Sequence, residues 1–363
     1  MSNQRLTLSL SNILLLAAGG SLLVLLWQLK NLIVVLMIAI VIAATLAPVI
    51  KTAEKLKIPR WLAVILVYLG LIATLTGIGL IIGPTVAQQI ENFISRLPSD
   101  LEVLRSLLER LALRFGVNEA NAPDLINQLF DPQALTSWAI SSSQQLLIRS
   151  YGVTRGIIGS VLGVLLALLF SGYMLSGSNA LLKGITNLFP YPWDERLSAQ
   201  VEPVATRMGG YLQGRIVVSA ILGIAISLGL GILGLSEFAL GLGVIAGFTN
   251  LIPFFGPILG AVPALIAAIA QGGWTFLWVF LLFVVIQNVE TYVLDPLLVG
   301  SSVRVHPLYQ LLAVLGGAQV LGILGALIVP PWVAGAAVLL ENLYTKPKLL
   351  EKNQQIEPNS LSV

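Results

Sequence analysis

Residues 250–265 read NLIPFFGPILGAVPAL. Pro253, Gly256, Pro257, Gly260 and Pro263 interrupt one of the most apolar parts of the chain. A proline inside a helix removes a hydrogen bond and clashes with the preceding turn, at roughly 3 kcal/mol or more. Irregular backbone at membrane depth is tolerated only where protein or a water-filled cavity satisfies it. The spacing therefore predicts that 238–271 dips into a bilayer and returns as a broken, re-entrant hairpin; a proline-kinked crossing is the alternative. Asn250, just before the break, is placed to hold a polar ligand or to cap a freed carbonyl.

Composition sets the class. The 363 residues are 56% hydrophobic and only 10% charged, against about 25% charged in soluble proteins. The mean hydropathy is +0.91 and the pI about 9.2. An all-α polytopic integral membrane protein follows. The basic residues lie between apolar stretches, which fits membrane topology and not a nucleic-acid partner. With no cysteine, disulfides, thiolate metal sites and cysteine nucleophiles are excluded.

Runs long enough to cross a bilayer occupy 10–29, 32–50, 61–82, 157–176, 214–235 and 274–294. Two longer stretches with breakers, 238–271 and 308–340, bring the total to about seven or eight membrane segments. The short loop KTAEKLKIPR, 51–60, carries four basic residues against Glu54 and is expected in the cytoplasm. Both termini then fall inside, and the polar tail 346–363 agrees. The first run is read as a retained span of a plasma (inner) membrane protein. The organisation is thus three N-terminal spans (1–83), a helical extramembrane insert (84–156), a core with broken helices (157–345) and the tail.

The insert repeats Ile90, Ile94, Leu97, Leu101, Leu104, Leu108, Leu111 and Phe115 at helical steps, an amphipathic pattern. Ser99 and Glu102 have capping-box spacing, which predicts a new helix start there. Asp131–Pro132 reads as a further N-cap. In 177–213 the stretch LFPYPWDERL sets aromatics beside charges, as at a membrane–water boundary.

No HExxH, GxSxG or GxxxxGK[ST] pattern is present, which argues against a metalloprotease, a serine hydrolase or an ATP-driven pump, and no cofactor or metal is expected. The polar residues left are few. Gln287, Asn288, Glu290 and Asp295 fall at the end of an apolar helix, where ionisable groups are costly and face a cavity or pair together. Glu290 is a candidate for a coupling proton or cation; Asp295, before Pro296, reads as a helix end or a cap. Arg304 is placed to attract an anion or pair with Glu290 or Asp295, and His306 is a lesser proton-relay candidate. Arg215 reads as a snorkelling residue and Glu237 as a boundary. In 313–332, Gly316, Gly317, Gly322 and Gly325 precede Pro330 and Pro331, and Gln319 is the one strongly polar side chain. A break is expected at Gly316–Gly317, with this element facing the first.

Taken jointly, Asn250, Pro253, Gly256, Pro257, Gly260 and Pro263, then Gln287, Glu290, Pro296, Gly300, His306 and Pro307, then Gly316, Gly317, Gly322, Gly325 and Pro330, resemble the pattern of the AI-2E, or autoinducer-2 exporter, family. The resemblance covers most of the chain. It implies an exporter of several spans per protomer, a homo-oligomer with a pentamer as one form, and a small polar solute such as autoinducer-2 or a sodium–proton exchange as cargo. Asp295 departs from the family pattern, which has a neutral polar residue before the proline. The expected function is a secondary transporter working by alternating access, with a cation–proton antiporter, a channel and a non-transporting scaffold as rivals.

Overall fold

The computed structural model describes residues 19–21, 24–25, 27–114, 154–300 and 306–348. Among these there are helices and no strands: α1 (Lys30–Lys55), α2 (Arg60–Arg114), α3 (Thr154–Ser176), α4 (Ser178–Thr186), α5 (Trp193–Ser198), α6 (Val201–Ile232), α7 (Ala239–Thr249), α8 (Phe255–Gln271), α9 (Gly273–Val289) and α10 (Pro307–Leu340). A π-helical segment, Glu290–Val299, continues α9, and a shorter one, Glu341–Thr345, continues α10. Among the described residues five helical runs are long and apolar enough to cross a membrane, or six if the bent pair α3–α4 is one span; most of the expected first span, 10–29, lies outside the described residues.

The insert does not begin a new helix at Ser99. α2 runs unbroken through Pro84 and Pro98 to Arg114, and Ser99 Oγ donates back to Arg96 O at 2.7 Å. At 1.5 Å per residue α2 is about 80 Å long, well beyond a hydrocarbon core of about 30 Å. Packing overrides the local capping signal here: Phe93, Leu97 and Leu101 enter the core with Phe238, Leu242 and Ala264. The Asp131–Pro132 cap lies outside the described residues.

α6 is the hub, packed by α1, α7, α9 with its π segment, and α10. It begins earlier than its apolar run suggested, at Val201. Lys51 meets Glu202 at 2.5 Å, Arg60 Nε donates to Leu175 O at 2.7 Å, and Asn342 Nδ2 donates to Gln200 Oε1 at 2.7 Å. These contacts gather the basic loop, the end of α3, the start of α6 and the end of α10 at one end of the bundle. At the other end Arg96 pairs with Glu237 at 2.6 Å, and Gly241 N donates to Gln89 Oε1 at 2.8 Å.

The first broken stretch is a helical hairpin. α7 and α8 are about 16 and 25 Å long at 1.5 Å per residue, each too short to span. They lie antiparallel because Gly256 seats against Thr249 and Asn250, and a Cβ at Gly260 would come within 2.7 Å of Ala246 Cα. At the tip Phe254 has φ 67°, and Phe255 N donates to Pro253 O at 2.8 Å. That is the rare γ-turn of positive φ, strained for a bulky residue. Gly243 and Gly247, four residues apart, let α7 close on Gly223 of α6, since a Cβ at Gly247 would stand 2.9 Å from Ser219 O.

The second broken stretch also folds back, but not at the Gly316–Gly317 pair. The break is at Gly322, with φ 65° and ψ −150° inside α10, a conformation open to glycine. Gly317 and Gly325 then meet backbone to backbone across the two arms, while Gly316 has open space beside it. Nor do the two broken elements face each other. The first hangs from the Glu237 end of α6; the second packs nearer the basic-loop end, through Gln310 on the Tyr211 hydroxyl at 3.2 Å and Gly335 on Met208. α6 is the shared surface for both.

Candidate functional site

The tip of the first hairpin brings three elements together around one guanidinium. Arg215 of α6 is 4% exposed, Asn250 at the hairpin break 3%, and Glu290 at the start of the π segment 2%. Arg215 Nη1 donates to Glu290 Oε1 at 2.9 Å and lies 3.4 Å from Asp295 Oδ1. Its Nη2 donates to Asn250 Oδ1 at 3.3 Å, and Asn250 Nδ2 donates to the same Glu290 oxygen at 3.1 Å. Asn250 thus bridges the ion pair, accepting from the cation and donating to the anion.

Local geometry makes this possible. The π segment closes its turns between residues five apart, which stacks Asp295 over Glu290 on the α6 side. The wider turn also carries the chain across Pro296, so Asp295 is not the helix end its position before proline suggested. Gly214, beside Arg215, lets the π segment approach: a Cβ there would meet the Leu298 carbonyl.

Against the cluster lies a small pocket with about 260 Å³ of empty space, part of it open to the outside, lined by Leu222, Ile226, Ala246, Asn250, Pro257, Phe283, Ile286, Gln287 and Glu290. Its walls are apolar; Asn250, Gln287 and Glu290 supply the polar groups at one end. The part of that space that water can occupy is about 20 Å³, room for about one ordered water, so a larger solute needs the walls to move apart.

The sequence-derived candidates separate in space. Asn250, Pro257, Gln287 and Glu290 meet at the pocket, and Asp295 joins them through Arg215. Pro253, Gly256, Gly260 and Pro263 shape the hairpin that holds Asn250. Asn288 is exposed and donates to Val284 O of its own helix at 2.7 Å. Gln319 is exposed on the second hairpin, with Gly316 and Gly317 close by in that same arm. His306 is exposed and caps α10, its Nδ1 accepting from Leu308 N at 3.3 Å. Arg304 lies outside the described residues; the partner of Glu290 and Asp295 is Arg215. Arg215 therefore does not snorkel, and Glu237 is paired with Arg96. The available sign for Arg215 was a lone cation between Gly214 and a long apolar run, where an unpaired charge is expensive.

Fold and site together define a polytopic helical membrane protein with two broken helices and a buried charge network at one of the breaks. The chain belongs to the AI-2E transporter family: the family model described as AI-2E family transporter matches residues 13–345. Two proteins of Bacillus subtilis (strain 168) named as transport proteins are similar to it along most of their length. YueF is 27% identical over 314 residues, 86% of this chain and 84% of that one. YrrI is 28% identical over 321 residues, 86% of each. YhhT of Escherichia coli (strain K12), also named for transport, is 24% identical over 327 residues, covering 88% and 87%.

Proposed function

We propose that this membrane transport protein is a secondary transporter that exports a small polar solute, an autoinducer-2-like signal or a related metabolite, by alternating access. The pocket under the first hairpin is the solute site, with Asn250, Gln287 and Glu290 as its polar contacts. The observation that carries this is the Arg215–Asn250–Glu290 network at the pocket's end, inside a chain that otherwise avoids charge. Such groups in a membrane mark substrate or ion pathways, and discontinuous helices near the midplane form the substrate sites of secondary transporters. Two hairpins on one hub helix, one at each end, supply a gate for each side. The basic loop puts the termini in the cytoplasm of a plasma (inner) membrane protein. Exposed apolar residues along α2, such as Leu69, Ile72, Leu75 and Ile78, suit lipid and the neighbouring protomers of a homo-oligomer, with a pentamer as one form.

A second reading, cation–proton antiport, has its own support: two carboxylates share one guanidinium, so the network carries an excess negative charge. Flux in proteoliposomes separates the readings. Solute efflux that persists without sodium or a proton gradient supports the uncoupled exporter. Sodium efflux with counter-movement of protons, lost in Glu290→Gln, supports antiport. Absence of any flux from folded protein rejects both and leaves a scaffold; flux far above a transporter's turnover without exchange leaves a channel.

A further inference from the structure

Antiparallel register across α6 and α9 fixes how the two carboxylates sit. Gly229 packs on Leu282, and Gly214 on Leu298 of the π segment, so residues of α6 and of α9 with its continuation meet in steadily opposed order. On that register Asp295 stands level with the Arg215 backbone. Glu290 lies five residues nearer the pocket, about 7 Å at 1.5 Å per residue, a reach that an arginine side chain covers. The pocket itself extends away from Asp295: Leu222 and Ile226 follow Arg215 along α6, and Phe283 and Ile286 precede Glu290 along α9. Asn250 and Glu290 thus line the end of the pocket nearest Arg215, which bonds both from beyond the lining, and Asp295 stands further along, towards the basic loop.

We infer that Arg215 is a two-position latch and that Asp295 is its second seat. With the guanidinium on Glu290 and Asn250, the end of the pocket facing the basic loop is shut. With the guanidinium drawn down onto Asp295, it opens. Three further observations fit two seats better than one permanent ion pair. Nη1 is already shared between the two carboxylates, at 2.9 and 3.4 Å. Among the described residues Arg215 Nε is buried without a hydrogen-bond partner, a donor that a side-on carboxylate at Asp295 would engage. The Asp295 side chain is 41% exposed where that of Glu290 is 3%, so a proton or cation from the basic-loop end reaches Asp295 first.

The groups facing Asp295 among the described residues are Arg215 and Tyr211 from α6 and Glu290 from its own segment. Removing the charge on Asp295 leaves Glu290 without a competitor, so acid on the basic-loop side shuts the latch. Ionised Asp295 competes for Arg215 and opens it. The latch regulates the solute site proposed above and rests on that function for its purpose, but its test needs no flux.

The chain has no cysteine, so Ile286→Cys on the pocket wall is a single reporter. A membrane-impermeant maleimide is added to one face or the other of membrane vesicles, and the rate of labelling is measured. From the basic-loop face, Asp295→Asn is expected to slow labelling about tenfold, as for the loss of one charge-assisted contact from a two-state element. Asp295→Glu restores the rate. Acid lowers the thiolate fraction and so slows labelling in both proteins, but it slows the parent more than Asp295→Asn, so the ratio of the two rates falls towards one. Equal rates in parent and Asp295→Asn from that face at every pH overturn the latch. Should Ile286→Cys not purify as a monodisperse protein, Gln287→Cys reads the same wall. A latch that responds in protein without flux sinks the transport function alone; flux with no Asp295-dependent labelling sinks the latch alone.

Discussion

At Arg215 the energetics turn on what is left behind when a partner is lost. Each charge of the Arg215–Glu290 pair is buried, and breaking such a pair by removing one member strands the other, at about 3–5 kcal/mol. Arg215→Met and Glu290→Met should each lower thermal stability strongly, whereas the double variant should cost clearly less than their sum. Melting of the four proteins in detergent completes the cycle; additive losses would show that the two side chains do not depend on each other. Asn250→Ala removes a group that both accepts from Arg215 and donates to Glu290. It should cost about 1–3 kcal/mol by leaving buried polar atoms unpaired. Asn288→Ala, on the exposed face, should fall within about 0.5 kcal/mol of the parent.

At the scale of elements, glycine positions divide by what surrounds them. Gly260→Leu forces a side chain into Ala246 across the hairpin and should destabilise by about 1–3 kcal/mol through overpacking. Gly316→Ala meets nothing within 4 Å and should be neutral or stabilising, since alanine favours helix by up to about 1 kcal/mol. Thermal melts of the two variants test the contrast, and equal losses would mean that the hairpin packing is wrong. This contrast also marks how far the sequence could be read. The first break was legible because Pro253, Gly256 and Pro257 crowd into one turn's length, a density that no straight helix accommodates. The second was misplaced, because Gly316, Gly317, Gly322 and Gly325 are equivalent in local propensity. Only the packing of Gly317 on Gly325 assigns the positive φ to Gly322. Arg215 was hidden for a related reason. Its partners stand 75, 80 and 35 residues away in the chain, and no local pattern reports a contact made between helices. Ser99 failed in the opposite sense: a true local signal was outvoted by the burial of Leu97 and Leu101.

Over the whole molecule, α2 joins the membrane part to the segment beyond it. Residue 100 lies about 60 Å along the helix from Arg60 at 1.5 Å per residue, twice the hydrocarbon thickness, so Asp100 is outside the membrane. Asp100 is nonetheless buried. Burial raises its pKa above the ordinary value, and Arg96, one turn away, opposes the shift. The same Arg96 holds Glu237 at 2.6 Å and lies over the Phe238 ring, at the turn that leads into the first hairpin. The sign follows from proton binding. The folded chain holds the Asp100 proton more tightly than the unfolded chain, so folding gains stability as pH falls through the folded value and bears the full cost of the buried charge above it. Asp100→Asn should therefore melt higher than the parent near neutral pH, and the difference should shrink as pH falls through the folded pKa of Asp100. Parallel melts of the two proteins from neutral to mildly acidic pH measure that difference directly. A difference that stays constant with pH would mean that Asp100 remains in one protonation state throughout. Asp100 would then add no pH dependence to the outer contact of α2 with the hairpin.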